Sequence, residues 1–565
     1  MDELLSETPK SRNPPEKRVK DVPAARVQAE YSKGQTYNTG LDLYEQVKKN
    51  ERFYLGDQWS GLKVKSFTPV TLNFLRRVLA YFQSMIVSDD IAVQILPFRK
   101  AENREQIGQV YEKSVERVME RVKLKSLLRE SLRDTAVDGD SLLYFYFDPG
   151  EPSGQEYAEG DIRAELVMNT NVIFGNSYSR HIQDQPYILI VRRRTVREAR
   201  QEAKVRGIAE WESIESESED SYVGEDKQQD DNLCTEIVRF WKERAGDGKK
   251  HVYVQRVIGK VVTEHAKDTG LSLYPAAWWS WVERRNCYHG VSPLTEVIPT
   301  QIAVNQLWTA VTRYVQSAAF PKIVYNKNLF PNGFDTNPSK AVGVMGDVRE
   351  AQTAVIGGVT LPPQIISTID SLMQKAMEMM GISDTALGNV RPDNSAAIVT
   401  LQEATAAPLA LQKLAFYQFV EDCVRVMVDM MRTYYGTREV VIEQKMQDPM
   451  TGETVGQEMP VMLDFGTLDL DVTEINVDVG EANYWSRVIQ LTTADNLFTK
   501  GFYTKMSDYL KNLPDGLVRN RDQMVQELEK RERMQAQQAM QAQQGQQGQA
   551  LAAAGPEPPA PGQMM

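Results

Sequence analysis

Between Ser395 and Gly436 the sequence holds a helical stretch of about forty residues, with Pro408 as its one interior proline. At 1.5 Å per residue such a helix would reach roughly 60 Å, against an average globular helix of about 10–14 residues. Pro408 removes a backbone donor and should break or bend it. Compact enzymes seldom need an element this long, so the stretch points to an assembly. The segment ahead of it, Met377 to Asn394, reads as a helix end followed by an irregular polar loop.

Upstream, residues 1–40 are charged and proline-bearing and read as a disordered arm without a signal peptide. Helical patterning starts at Leu41, with Leu43, Val47 and Phe53. A second helix is expected from Val70 through Leu72, Leu75, Leu79, Phe82 and Ile86, and residues 101–137 repeat the pattern up to Gly139. Leu142 to Phe147 reads as a strand, and 160–290 as mainly β, with a hairpin from His251 to His265 turning at Gly259. Within that region Glu210 to Asp231 is strongly acidic, either a solvated loop or a docking strip for a basic partner.

Ser292-Pro293 has the N-cap and first-position chemistry of a helix start, and Pro299 is expected to kink or restart the helix. On that helix Gln301, Asn305, Thr312 and Gln316 form an uncharged polar stripe. The stripe suits hydrogen bonds between repeated neighbours, and equally a solvated face. Residues 321–363 hold short β-like runs with many glycines, and Ile365 to Met380 is a methionine-rich helix, either core or adaptable interface. After Gly436 two short strand pairs are expected, then helices from Tyr484 to about Arg533, then a Gln/Ala/Pro-rich tail. The fold class is therefore α+β, mainly helical.

The formal net charge of −12 argues against a broad basic nucleic-acid grip. Cys234, Cys287 and Cys423 are far apart and read as reduced thiols, and no apolar run is long enough for a membrane span. There is no GxxxxGK[ST] motif, so no ATP motor is expected, and no HExxH or Cys/His cluster for a metal. Gly139-Asp-Ser-Leu142 has the look of some serine esterases but lacks the Asp-x-x-His those enzymes carry, and reads as a turn between helix and strand. The pairs Asp469/Asp471 and Asp138/Asp140 read as solvent faces rather than a two-metal nuclease site. No enzyme activity and no cofactor is expected.

Four stretches, in order, resemble the tailed-bacteriophage portal protein (head–tail connector) family. They are Phe53-Tyr-Leu-Gly-Asp-Gln-Trp59 with Asn73; Ala136 to Tyr144; Tyr288-His-Gly-Val-Ser-Pro293 with Gln301 and Asn305; and Asn394 to Gln402. The likeness covers about residues 41–530. It departs at Ser395-Ala396, where the family often has Ser-Gly. The resemblance implies a portal-type ring subunit with an α/β wing, a two-helix stem, a small β clip and a helical crown.

Mapped onto this chain, the wing would be 41–291, with the acidic loop 210–231, and would include the long kinked helix 396–436. The stem helices would be 292–320 and 364–381, the clip 321–363, the tunnel loop 382–395, the crown 437–530 and the tail 531–565. The tunnel-loop residues Asn389, Arg391, Asp393 and Asn394 would approach DNA, unless the loop is an ordinary connection. Tyr325, Lys327, Phe330 and Phe334 of the clip would dock partners. The implied partners are further copies in a ring of usually twelve, double-stranded DNA, the terminase large subunit, head-completion or adaptor and tail proteins, and the capsid or scaffolding protein. The place would be a capsid vertex of the virion, after assembly in the host cytoplasm. The rival expectations are another structural virion protein, such as an internal core or tail-tube component, and a nuclease acting through Asp469 and Asp471.

Overall fold

A computed structural model describes residues 19–59, 69–87, 91–97, 102–154, 160–216, 232–245, 248–319, 322–324, 326–328, 330, 345–347, 349, 354–356, 363–382, 407–447, 454–467, 473–479, 498, 506–511, 524–525, 528 and 531. The chain divides into two units, 1–479 and 480–565.

Part of the expected arm is a helix. Helix α1 (Ala24–Gly40) buries Val27, Tyr31, Gly34 and Asn38, one face at spacings of three and four. Val27 and Tyr31 pack with Ile173, Leu189, Ile237 and Val257 of a sheet, and Arg239 of that sheet donates to Glu30 at 2.7 Å. Helix α2 (Leu43–Leu55) follows, then α3 (Leu75–Ile86). Residues 69–74 are not helical, although the apolar spacing predicts a helix from Val70. Their backbone N–H groups bond side chains instead, as described below.

Strand β1 (Ile91–Pro97) leads to α4 (Glu102–Val122) and α5 (Leu124–Asp138), separated by Lys123 in the left-handed region (φ 54). Gly139 ends α5 at φ 106, a conformation open to glycine at little cost. Strand β2 (Asp140–Asp148) then forms the centre of a three-stranded antiparallel sheet, between β3 (Asp161–Val167) and β9 (Ala276–Ser280). The second sheet holds β4 (Val172–Phe174), β5 (Tyr187–Thr195), β6 (Leu233–Arg244), β7 (Lys250–Ile258) and β8 (Val261–Asp268) in sequential antiparallel order. Helix α6 (Val196–Val205) sits between β5 and β6, and the β7–β8 hairpin turns at Gly259 as expected. Of the acidic stretch, Trp211–Ser213 is a 3-10 turn, Ile214 is buried, and 217–231 lie outside the described residues.

Helix α7 (Pro293–Ala319) runs through Pro299 as a single helix, so the expected restart does not occur. The short strands β10 (Lys322–Val324) and β11 (Ala354–Ile356) pair antiparallel, and α8 (Pro363–Met379) returns to pack on α7. Of the long stretch, the structure describes a 3-10 turn at Ala407–Leu409 and α9 (Ala410–Tyr434), 25 residues or about 37 Å. Pro408 therefore precedes this helix. Phe416, Phe419, Val420, Cys423, Val424 and Met427 of α9 are at most 1% exposed, and Trp279 of β9 stacks on Phe419 with ring centroids 5.7 Å apart. Strands β12 (Thr437–Gln447) and β13 (Thr454–Asp464) form a hairpin. The next strand, β14 (Thr473–Val479), pairs with the distant β1 rather than closing a second local pair. In the second unit α10 (Met506–Lys511) buries Leu510 with Val525. The fold is a mixed α+β arrangement with antiparallel sheets.

Candidate functional site

The root of α7 is where distant parts of the sequence meet. Ser292 caps it: Leu294 N–H donates to Ser292 Oγ at 3.1 Å, and that hydroxyl donates to Ala136 O at 2.7 Å. Gly290 N–H donates to Asp140 Oδ2 at 2.6 Å, and His289 Nδ1 lies 3.1 Å from the same oxygen. A Cβ on Gly139 would meet Ser292 N at 3.1 Å and Gly290 O at 3.2 Å, so the two glycine-bearing turns interlock only without side chains there. Asp140 and His289 are each 1% exposed. The reading of Asp140 as a solvent face is thus overturned.

Ser141, the serine of the esterase-like tetrapeptide, is equally enclosed. Its Oγ is 2.7 Å from Ser131 Oγ and 2.8 Å from Thr135 Oγ1, in a buried hydroxyl trio to which Trp279 Nε1 donates. The turn between helix and strand is what the structure has there. Among the described residues no group of His, Cys, Asp and Glu is placed to hold a metal ion, and no described helix is long and apolar enough to cross a membrane. Asp469 and Asp471 lie outside the described residues.

Two turns further along α7, Gln301 and Asn305 are 0% and 2% exposed. Leu72 N–H donates to Asn305 Oδ1 at 3.0 Å, Phe74 N–H to Gln301 Oε1 at 3.3 Å, and Gln301 Nε2 returns to Leu72 O at 2.7 Å. Val70 N–H donates to Thr309 Oγ1 at 3.0 Å, and Asn305 Nδ2 bonds Gln58 Oε1. Asn73 Nδ2 donates to Tyr54 O at 2.8 Å, and Gln58 Nε2 to Phe53 O at 2.9 Å. These side chains satisfy a segment that is neither strand nor helix. The expectation that Gln301 and Asn305 bond neighbouring copies is corrected: their amides are used inside the chain. Sequence reasoning named the stripe but missed its direction. Thr312 is half-buried and Gln316 is exposed.

Lys327, on a turn, is exposed, whereas Phe330 is 4% exposed and its N–H donates to Asn326 O at 3.1 Å. A buried Phe330 is not presented to a partner. Tyr325, Phe334, Asn389, Arg391, Asp393 and Asn394 lie outside the described residues. The two ends of segment 383–406 are nonetheless fixed. Gly381 (φ 76) closes α8 in a left-handed cap, with Ile382 N–H donating to Met377 O at 2.9 Å. A Cβ on Gly381 would lie 2.6 Å from Pro408 Cβ. Gly381 and Pro408, which flank the segment, are therefore in direct contact. Around that point apolar side chains are left uncovered, with Met379 83%, Leu411 76% and Leu414 65% exposed.

No known protein family matches the chain, and neither does any curated protein.

Proposed function

We propose that this chain is a portal subunit, a non-enzymatic member of a ring at one capsid vertex through which double-stranded DNA enters and leaves. The observation that carries the reading is the convergence at the root of α7. Three of the four family-like stretches, scattered from Phe53 to Asn305, meet there in one hydrogen-bonded hub. A structural reason thus exists for these residue types to occur together. The hub anchors an excursion, α7 to β10–β11 and back along α8, that corresponds to the stem and clip the resemblance implies. The tunnel loop of the resemblance, 382–395, begins where Gly381 closes α8 against Pro408.

In this reading the clip docks the terminase large subunit during packaging and head-completion, adaptor or tail proteins afterwards. The crown and the N-terminal arm face the capsid interior, shell or scaffold. A net charge of −12 per copy keeps the ring from holding DNA through counterion release, which favours passage over retention. Deleting residues 383–394 should leave ring formation intact and abolish DNA packaging in an in vitro packaging assay. Loss of rings in that variant would make the loop an assembly element and remove its channel role.

A further inference from the structure

At the other end of β2 from Asp140, where Asp148 pairs with Asp161, lies a concavity of about 40 Å³, walled by α4, the start of β3 and the α9–β12 junction. Lys113, Arg117 and Arg121 stand four residues apart along α4, so they share one helix face, and Arg438 of β12 lines the same space. The carboxylates present are Asp161 and Glu439. Asp161 is 3% exposed and already committed, since it accepts from Arg121, from Tyr435 Oη and, at 2.8 Å, from Ile162 N–H. Arg438 is 6% exposed and is held with its guanidinium carbon 3.6 Å from the Tyr435 ring centroid and Nη2 donating to Gly160 O at 2.7 Å. Burial, then the nearby Arg121 and Arg117, pull the pKa of Arg438 down. Lys113 and Arg117 have no ion-pair partner among the described residues.

Four cations against two carboxylates leave the lining two positive charges in excess, around a space that would take about three waters. One tetrahedral dianion matches both the charge and the size, and guanidinium forks suit its oxygens. We propose that this pocket binds a phosphate dianion, either inorganic phosphate or the terminal phosphate of a nucleotide. A backbone phosphodiester carries one charge and fits less well. The site goes beyond the portal reading and does not depend on it.

The test is calorimetric titration of the full chain with inorganic phosphate and, separately, with a nucleoside monophosphate, each against chloride at matched ionic strength. Saturable binding is expected for at least one of them. Losing one charged donor should weaken it about tenfold or more in Arg117→Gln. Lys113→Gln is a second variant: both side chains are exposed, and glutamine is compatible with a helix. Binding of inorganic phosphate alone, lost in the variants, identifies the free ion as the source; binding of the monophosphate alone identifies a nucleotide. Equal binding by the wild type and both variants would overturn the proposal. So would binding of neither.

Discussion

The two halves of α7 differ in what they bury. From Leu294 to Thr309 the helix buries Leu294, Val297, Ile298 and Val304, and spends Gln301, Asn305 and Thr309 on the backbone of residues 70–74. From Thr312 onward Arg313 and Gln316 are exposed, and Val315 is 52% exposed. The helix α9 repeats this contrast in reverse, with Leu411 and Leu414 uncovered at its start and an apolar core face from Phe416 onward. One end of each helix is fixed by its own chain. The other end leaves apolar side chains exposed, Val315 on α7 and Leu411 and Leu414 on α9, and clustered exposed apolar side chains commonly mark contact surfaces.

Substitutions on the two sides of this divide should behave differently. In the fixed part, Phe419→Ala removes a fully enclosed ring against Trp279 and should cost about 4 kcal/mol in chemical denaturation. Asn305→Leu keeps the branching and the heavy-atom count but strands Leu72 N–H and the Gln58 carbonyl oxygen, and should cost about 3 kcal/mol. A cost near zero for Asn305→Leu would return that residue to the surface role first expected of it.

Asp422 of α9 gives a prediction of opposite sign. Burial, then the neighbouring Glu421, push its carboxyl up from 3.8 to about 6. Because the folded value is the higher one, the native state binds the proton more tightly, and the penalty is absent below pH 3.8, grows to pH 6 and is full above it. Asp422→Asn should therefore stabilise the chain at pH 7 by about 1 kcal/mol, after discounting for solvent screening of a partly exposed group. The gain should vanish by about pH 4 in a series of denaturation curves. In the uncovered part, Leu411→Asp should change the stability of the isolated chain by less than about 0.5 kcal/mol yet prevent its assembly into rings, read by sedimentation velocity.

The same divide explains what the sequence revealed. Local chemistry was legible: the Ser292-Pro293 start of α7, the Gly139 stop of α5 and the Gly259 hairpin are set by neighbours within a few residues. Partner choice over long distances was not. Nothing local marks residues 91–97 as the partner of 473–479. Helix α1 was hidden because its buried face includes Gly34 and Asn38, residues that carry no apolar signal. The direction of the Gln301/Asn305 stripe was undetermined because a polar helix face looks the same whether it meets another subunit or the chain's own unpaired N–H groups. Only the non-helical course of 69–74 decides it.

In the proposed ring, the uncovered ends of α7 and α9 lie against neighbouring copies. Negative-stain electron microscopy of the purified full chain tests it most directly. Rings with a central hole and a narrow stem on one side are expected, lost in Leu411→Asp. A monodisperse monomer across salt and protein concentrations, or an assembly without a central hole, would contradict it.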